Sequence, residues 1–89
     1  MAPVTTWRPD PDVIGRRTGE TAVLVHVGSG RIFELNATGA VIWDLIETGA
    51  SSDAIVRALT EQFEVTEAQA ADELTRLVGE LGAAGLLAS

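Results

Sequence analysis

The chain has 89 residues, thirteen of them acidic against six arginines and no lysine, for a net charge of −7 at neutral pH. That balance works against binding to phosphate backbones and anionic lipid surfaces, and the absence of cysteine removes disulfides and thiolate metal sites. At this length there is one domain, burying somewhat more than ~60% of the surface its unfolded chain exposes, and the 46% apolar content, mostly Ala, Val, Leu and Ile, suffices for such a core.

Residues 1–12 contain Pro3, Pro9 and Pro11 and few apolar side chains. They read as an extended arm, because proline prevents helix and discourages central-strand pairing; Trp7 is its one large anchor. The compact domain is expected over residues 13–89. Neither the N-terminus nor any later stretch has the apolar run of a signal peptide or of a membrane helix, so the expected compartment is the cytoplasm.

A short strand is expected from Val13 to Arg17, followed by turn chemistry at Thr18-Gly19-Glu20. Thr21 to Val27 is β-branched and apolar enough for a strand buried on at least one face. Gly28-Ser29-Gly30 closes a hairpin onto a third strand, Arg31 to Leu35. Asn36 follows without a spacer as an N-cap, and Val41, Ile42, Leu45 and Ile46 repeat at helical spacing. This first helix should run to about Thr48, with Gly49 at the left-handed C′ position. Ser51 or Ser52 caps a second helix with Ile55, Val56, Leu59 and Phe63 on one face. Thr66 caps a third, whose apolar stripe is Leu74, Leu77, Val78 and Leu81. Gly79, Gly82 and Gly85 weaken its last turns, and Leu86 and Leu87 fold back onto the core. The expected fold is α+β and winged helix-turn-helix-like: a three-stranded antiparallel sheet followed by three helices.

Catalytic chemistry finds no foothold in this sequence. His26 is the single histidine and no paired carboxylate flanks it at metal-ligand spacing, so no metal site is expected. Ser29, Ser51 and Ser52 sit in turns and caps that already use their hydroxyls, and no nucleophile elbow is present. Gly28-Ser29-Gly30 is too short for a phosphate loop. As a DNA-recognition helix the third helix would offer Gln69 and Arg76 against Glu67, Asp72, Glu73 and Glu80, a field that repels the duplex. Ser51-Ser52-Asp53 reverses the order that a phosphopantetheine carrier needs, and the strands do not belong in one. The chain is therefore expected to be neither an enzyme nor a nucleic-acid binder, and to use no cofactor. What remains is binding through an exposed strand edge. If the strands lie in the order one, two, three, Arg31 to Leu35 leaves unpaired N–H and C=O groups that an extended peptide can join, with the third helix as a wall.

The segment from Gly30 to Trp43, with its LNxxGxxIW pattern, and the downstream run TEAQAADELTRLVGELGAAGLL resemble the PqqD-like family of leader-peptide recognition domains in ribosomal peptide biosynthesis. Gly30, Arg31, Phe33, Leu35, Asn36, Gly39, Ile42 and Trp43 carry the match, together with Ile55, Leu59, Leu74, Leu77, Leu81, Gly85, Leu86 and Leu87. The resemblance implies a non-catalytic chaperone that holds the leader of a precursor peptide between the third strand and the third helix and presents it to a modifying enzyme. Carried onto this chain, the edge is Arg31, Ile32, Phe33, Glu34 and Leu35. The wall comes from Glu73, Leu74, Leu77, Val78 and Leu81, some of which must face the core, and Asp72, Arg76 and Glu80 add charge at the rim. Within the family, LNATGA before an acidic, Ala-rich last helix resembles the stand-alone B1 proteins of lasso-peptide clusters, which serve a leader peptidase. The same residues fit the chaperone of pyrroloquinoline quinone synthesis, which serves a radical S-adenosylmethionine enzyme. A third reading is a protein–protein adaptor that uses the acidic helix face while the arm covers the strand edge.

Overall fold

A computed structural model describes residues 5–88; the first four residues of the expected arm lie outside them. The chain forms β1 (Val13–Thr18), β2 (Thr21–His26), β3 (Arg31–Leu35), α1 (Ala37–Glu47), α2 (Ser52–Gln62) and α3 (Glu67–Ala83), the expected α+β order. Both strand ends move by one residue from expectation. Thr18 extends β1 because it pairs with Thr21 across the turn, and Val27 leaves β2 as the hairpin loop begins.

The sheet is antiparallel in the order β1-β2-β3. Alternation sends Ala22, Leu24 and Leu35 inward to full burial and leaves Ile14 and Ile32 outside. The β2–β3 loop ends on Gly30 at φ +71°, a left-handed conformation that a side chain would strain; its N–H donates to His26 C=O at 2.8 Å.

Each helix starts where the sequence supplies a cap. Asn36 Oδ1 accepts from Gly39 N–H at 2.8 Å, Ser51 Oγ accepts from Ala54 N–H, and Thr66 and Gln69 form a reciprocal capping box. Gly49, at φ +80°, takes the C′ position after α1. Phe63 is the C-cap of α2 rather than part of its helical face, in extended backbone, and it still packs on the core.

Gly39, Ile42, Trp43 and Ile46 recur at i, i+3, i+4 and i+7 and form the buried stripe of α1. That stripe meets the inner face of the sheet, while Ile55 and Leu59 of α2 and Ala70, Leu74, Leu77 and Leu81 of α3 complete one core. Leu86 folds back to 1% exposure. The described part of the N-terminal segment is tied to this end of the chain: Pro9 bridges Leu87, Asp10 N–H donates to Leu86 C=O, and Ala88 N–H donates to Arg8 C=O.

Candidate functional site

An antiparallel strand points successive N–H and C=O pairs to alternate sides, so one known bond sets the phase of the whole sheet. Val27 N–H donates to Asp12 C=O at 2.9 Å. The odd residues of β2 therefore bond to β1 and the even ones, Ala22, Leu24 and His26, bond toward β3. Their register partners are Leu35, Phe33 and Arg31. Ile32 and Glu34 are left with N–H and C=O groups facing away from β2, and among the described residues no other backbone group bonds to them. This edge can accept an added strand at two residues.

Of the residues expected at the edge, Arg31, Ile32 and Glu34 are exposed, Phe33 is half-buried, and Leu35 is in the core. Those expected on α3 divide in the same way. Leu74, Leu77 and Leu81 are buried, Glu73 and Val78 are half-buried, and Asp72, Arg76 and Glu80 are exposed. Phe33 and Val78 both sit at the margin of the common core. Arg76 Nη2 donates to both carboxylate oxygens of Glu73 at 2.6 Å. That hydrogen bond, and then the charge of Glu73, raise the Arg76 pKa; the pair lies on the exposed surface of α3. Clefts lie between α2 and α3, along Glu64, Gln69, Asp72, Glu73 and Arg76, and at the end of the sheet beside Glu34, Leu35 and Asn36. None of these draws on β3 and α3 together, so the edge is open rather than enclosed.

One grouping escaped the sequence reading, which found no paired carboxylate flanking His26 at metal-ligand spacing. The register Val13↔His26 brings the residues just before β1 beside the end of β2, and Asp10, Asp12 and His26 place ligand-type atoms within 4.8 Å of one another. The hydrogen bonding argues against a cation there. His26 Nδ1 accepts from Ser29 N–H at 3.1 Å, which puts the ring proton on Nε2, the nitrogen 3.5 Å from Asp10 Oδ1. A metal on Nε2 would need that proton moved to Nδ1, against the Ser29 N–H. The cluster is a clasp joining the N-terminal segment to the β2–β3 hairpin.

No helix of the described residues is long and apolar enough to cross a membrane. The Coenzyme PQQ synthesis protein D (PqqD) family matches residues 21–87. No curated protein matches significantly. Two solved structures do. "TbiB1 in Complex with the TbiA(beta) Leader Peptide" is 28% identical, covering 90% of this chain and 93% of that one with a TM-score of 0.84. "Lasso peptide synthetase B1 complexed with the leader peptide" is 27% identical, covering 96% and 100% with a TM-score of 0.86. A family match that takes in β2, β3 and all three helices settles the classification: the chain belongs to the PqqD family of non-catalytic peptide-binding domains.

Proposed function

We propose that this domain captures the leader segment of a ribosomally made precursor peptide as a fourth strand along β3, beside α3, and delivers it to a separate enzyme, a leader peptidase of lasso-peptide type. The observation that carries this reading is the open β3 edge, with the main-chain groups of Ile32 and Glu34 unclaimed among the described residues. Two relatives of 27–28% identity, each solved with a leader peptide, support it. Main-chain bonds to Ile32 and Glu34 supply affinity that is largely indifferent to leader sequence, while Phe33, Val78 and the Glu73–Arg76 pair select side chains. The adaptor reading requires the N-terminal arm to cover this edge. Its described residues bond instead to the 86–88 segment and, through Thr5 C=O, to Ser52 N–H.

The test is titration of the isotopically labelled domain with synthetic leader segments, followed at backbone amides. Saturable shifts are expected at Arg31 to Leu35 and along Glu73 to Leu81. Ile32→Pro and Glu34→Pro each remove one edge N–H without touching a bond to β2. Each is expected to weaken capture by at least ~10-fold, whereas Ile32→Ala keeps it within a few-fold. Undiminished binding by a folded proline variant would overturn the groove.

A further inference from the structure

We propose that the outer face of the sheet, opposite the helices, is a self-association surface that pairs two copies of this chain face to face about a two-fold axis running along β2. This surface is distinct from the β3 edge, which lies in the plane of the sheet, and the proposal does not depend on leader binding.

The register builds the surface row by row. Val23 and Val25 form a column down the middle strand on the outward parity, and Val27 continues it just beyond the strand's end. Ile14 and Ile32 flank Val25, and Arg16 and Glu34 flank Val23. Ile14, Val27 and Ile32 are the large hydrophobic residues most exposed among those described, at 55%, 61% and 68%. All three belong to this one face. Such an apolar cluster on a small acidic domain marks an interaction site.

The two charges identify the occupant. Arg16 and Glu34 stand on opposite outer strands of the same row, two interstrand spacings or ~10 Å apart, and they do not pair with each other across Val23. Neither has an ion-pair partner among the described residues. A two-fold axis along β2 exchanges the two outer strands while keeping each row level. It therefore sets Arg16 of each copy over Glu34 of the other, Ile14 over Ile32, and the valine column against its own image. The surface is self-complementary in charge and in apolar pattern, as an isologous interface requires. Two such faces pack as an aligned β-sandwich, the sheets ~10 Å apart. Three short strands present less than the ~800 Å² per partner of a standard interface, and two net charges of −7 repel, so the association is weak and concentration-dependent. Both β3 edges stay open in the pair, which would make it bivalent for extended peptides.

Sedimentation velocity of the full chain, from low micromolar to millimolar concentration, should show monomer passing to dimer. Arg16→Glu and Glu34→Arg each set like charges together at both ends of the interface and should weaken association by at least ~10-fold; the double charge swap should restore it to within ~3-fold. Rescue by the double swap is specific to a second copy, since a different protein docking on this face would be repelled by all three variants. An unchanged circular dichroism spectrum establishes folding, and Ile14→Ser supplies an apolar probe expected to weaken the dimer without altering charge. A monomer at every concentration, or a double swap no better than the single changes, would overturn the proposal. Arg16→Glu lies off the β3 edge and should leave leader titration intact, so failure of the dimer and failure of leader capture are separately visible.

Discussion

Gly15 of β1 lies directly over the indole of Trp43: a Cβ at Gly15 would stand 2.8 Å from Trp43 Nε1 and 3.3 Å from a methyl of Leu24. This close approach lets a residue of α1 pack flush beneath the sheet at 2% exposure. Gly15→Ala is expected to destabilise the domain by ~1–3 kcal/mol through overpacking, with Gly15→Val worse, measured by denaturant unfolding. Trp43 Nε1 is itself buried without a hydrogen-bond partner. Trp43→Phe removes that unsatisfied donor as well as volume, so its cost should fall well short of the ~3–5 kcal/mol of Trp43→Ala.

The strand-to-helix junction rests on one side chain. Asn36 Oδ1 caps α1 through Gly39 N–H, and a Cβ at Gly39 would meet both Asn36 Oδ1 and the Leu35 side chain at 3.3 Å. Asn36→Ala is expected to cost ~1 kcal/mol and Asn36→Asp much less. Thermal or denaturant midpoints of the two variants decide this, and equal losses would show that the cap contributes nothing.

Within α3, Gly79 and Gly82 have no atoms within 4 Å of where a Cβ would sit. Nothing in the fold needs glycine there, so Gly79→Ala and Gly82→Ala should each stabilise the helix by ~0.5–1 kcal/mol. Gly79 adjoins Val78 on the proposed wall. If a peptide backbone passes close to it, Gly79→Ala will weaken leader capture while Gly82→Ala does not, a comparison that separates a ligand-driven glycine from an idle one.

Glu47, in the last turn of α1, has its carboxyl held above the ordinary value of 4.5, first by partial burial and then by the negative charge of Asp44. The folded chain thus binds this proton more tightly than the unfolded chain, and ionised Glu47 costs stability. The cost is absent below the unfolded pKa and develops as pH rises through the folded one. Glu47→Gln should accordingly melt higher than the parent at neutral pH, with the difference vanishing below pH ~4. Equal midpoints at both pH values would remove the effect.

The clasp of Asp10, Asp12, His26 and Ser29 should ignore divalent zinc, because its tautomer leaves the imidazole nitrogen nearest the carboxylates protonated. Added zinc is expected to leave the melting temperature and the His26 ring resonances unchanged. A stabilisation lost in His26→Gln would show that the ring turns to bind metal.

Local patterning determined the elements of this protein and their order. Asn36, Ser51 and Thr66 act within four residues of themselves, Gly30 and Gly49 meet backbone demands that only a left-handed residue relieves, and the alternation in β2 or the helical stripe Leu74, Leu77, Leu81 is a one-dimensional signal. The open β3 edge was legible to the extent that successive hairpins imply the strand order β1-β2-β3. Register and packing decided the rest. Ile32 and Glu34 became the open positions of β3 because a bond between Val27 and Asp12, in the other half of the sheet, sets the hydrogen-bonding phase of all three strands. The same register drew Asp10 and Asp12 to His26 and placed Arg16 level with Glu34 across Val23. Residues far apart along the chain meet only once a particular pairing is chosen, and burial of Ala22, Leu24 and Leu35 against α1 chooses it, since a one-residue slip would turn all three to water.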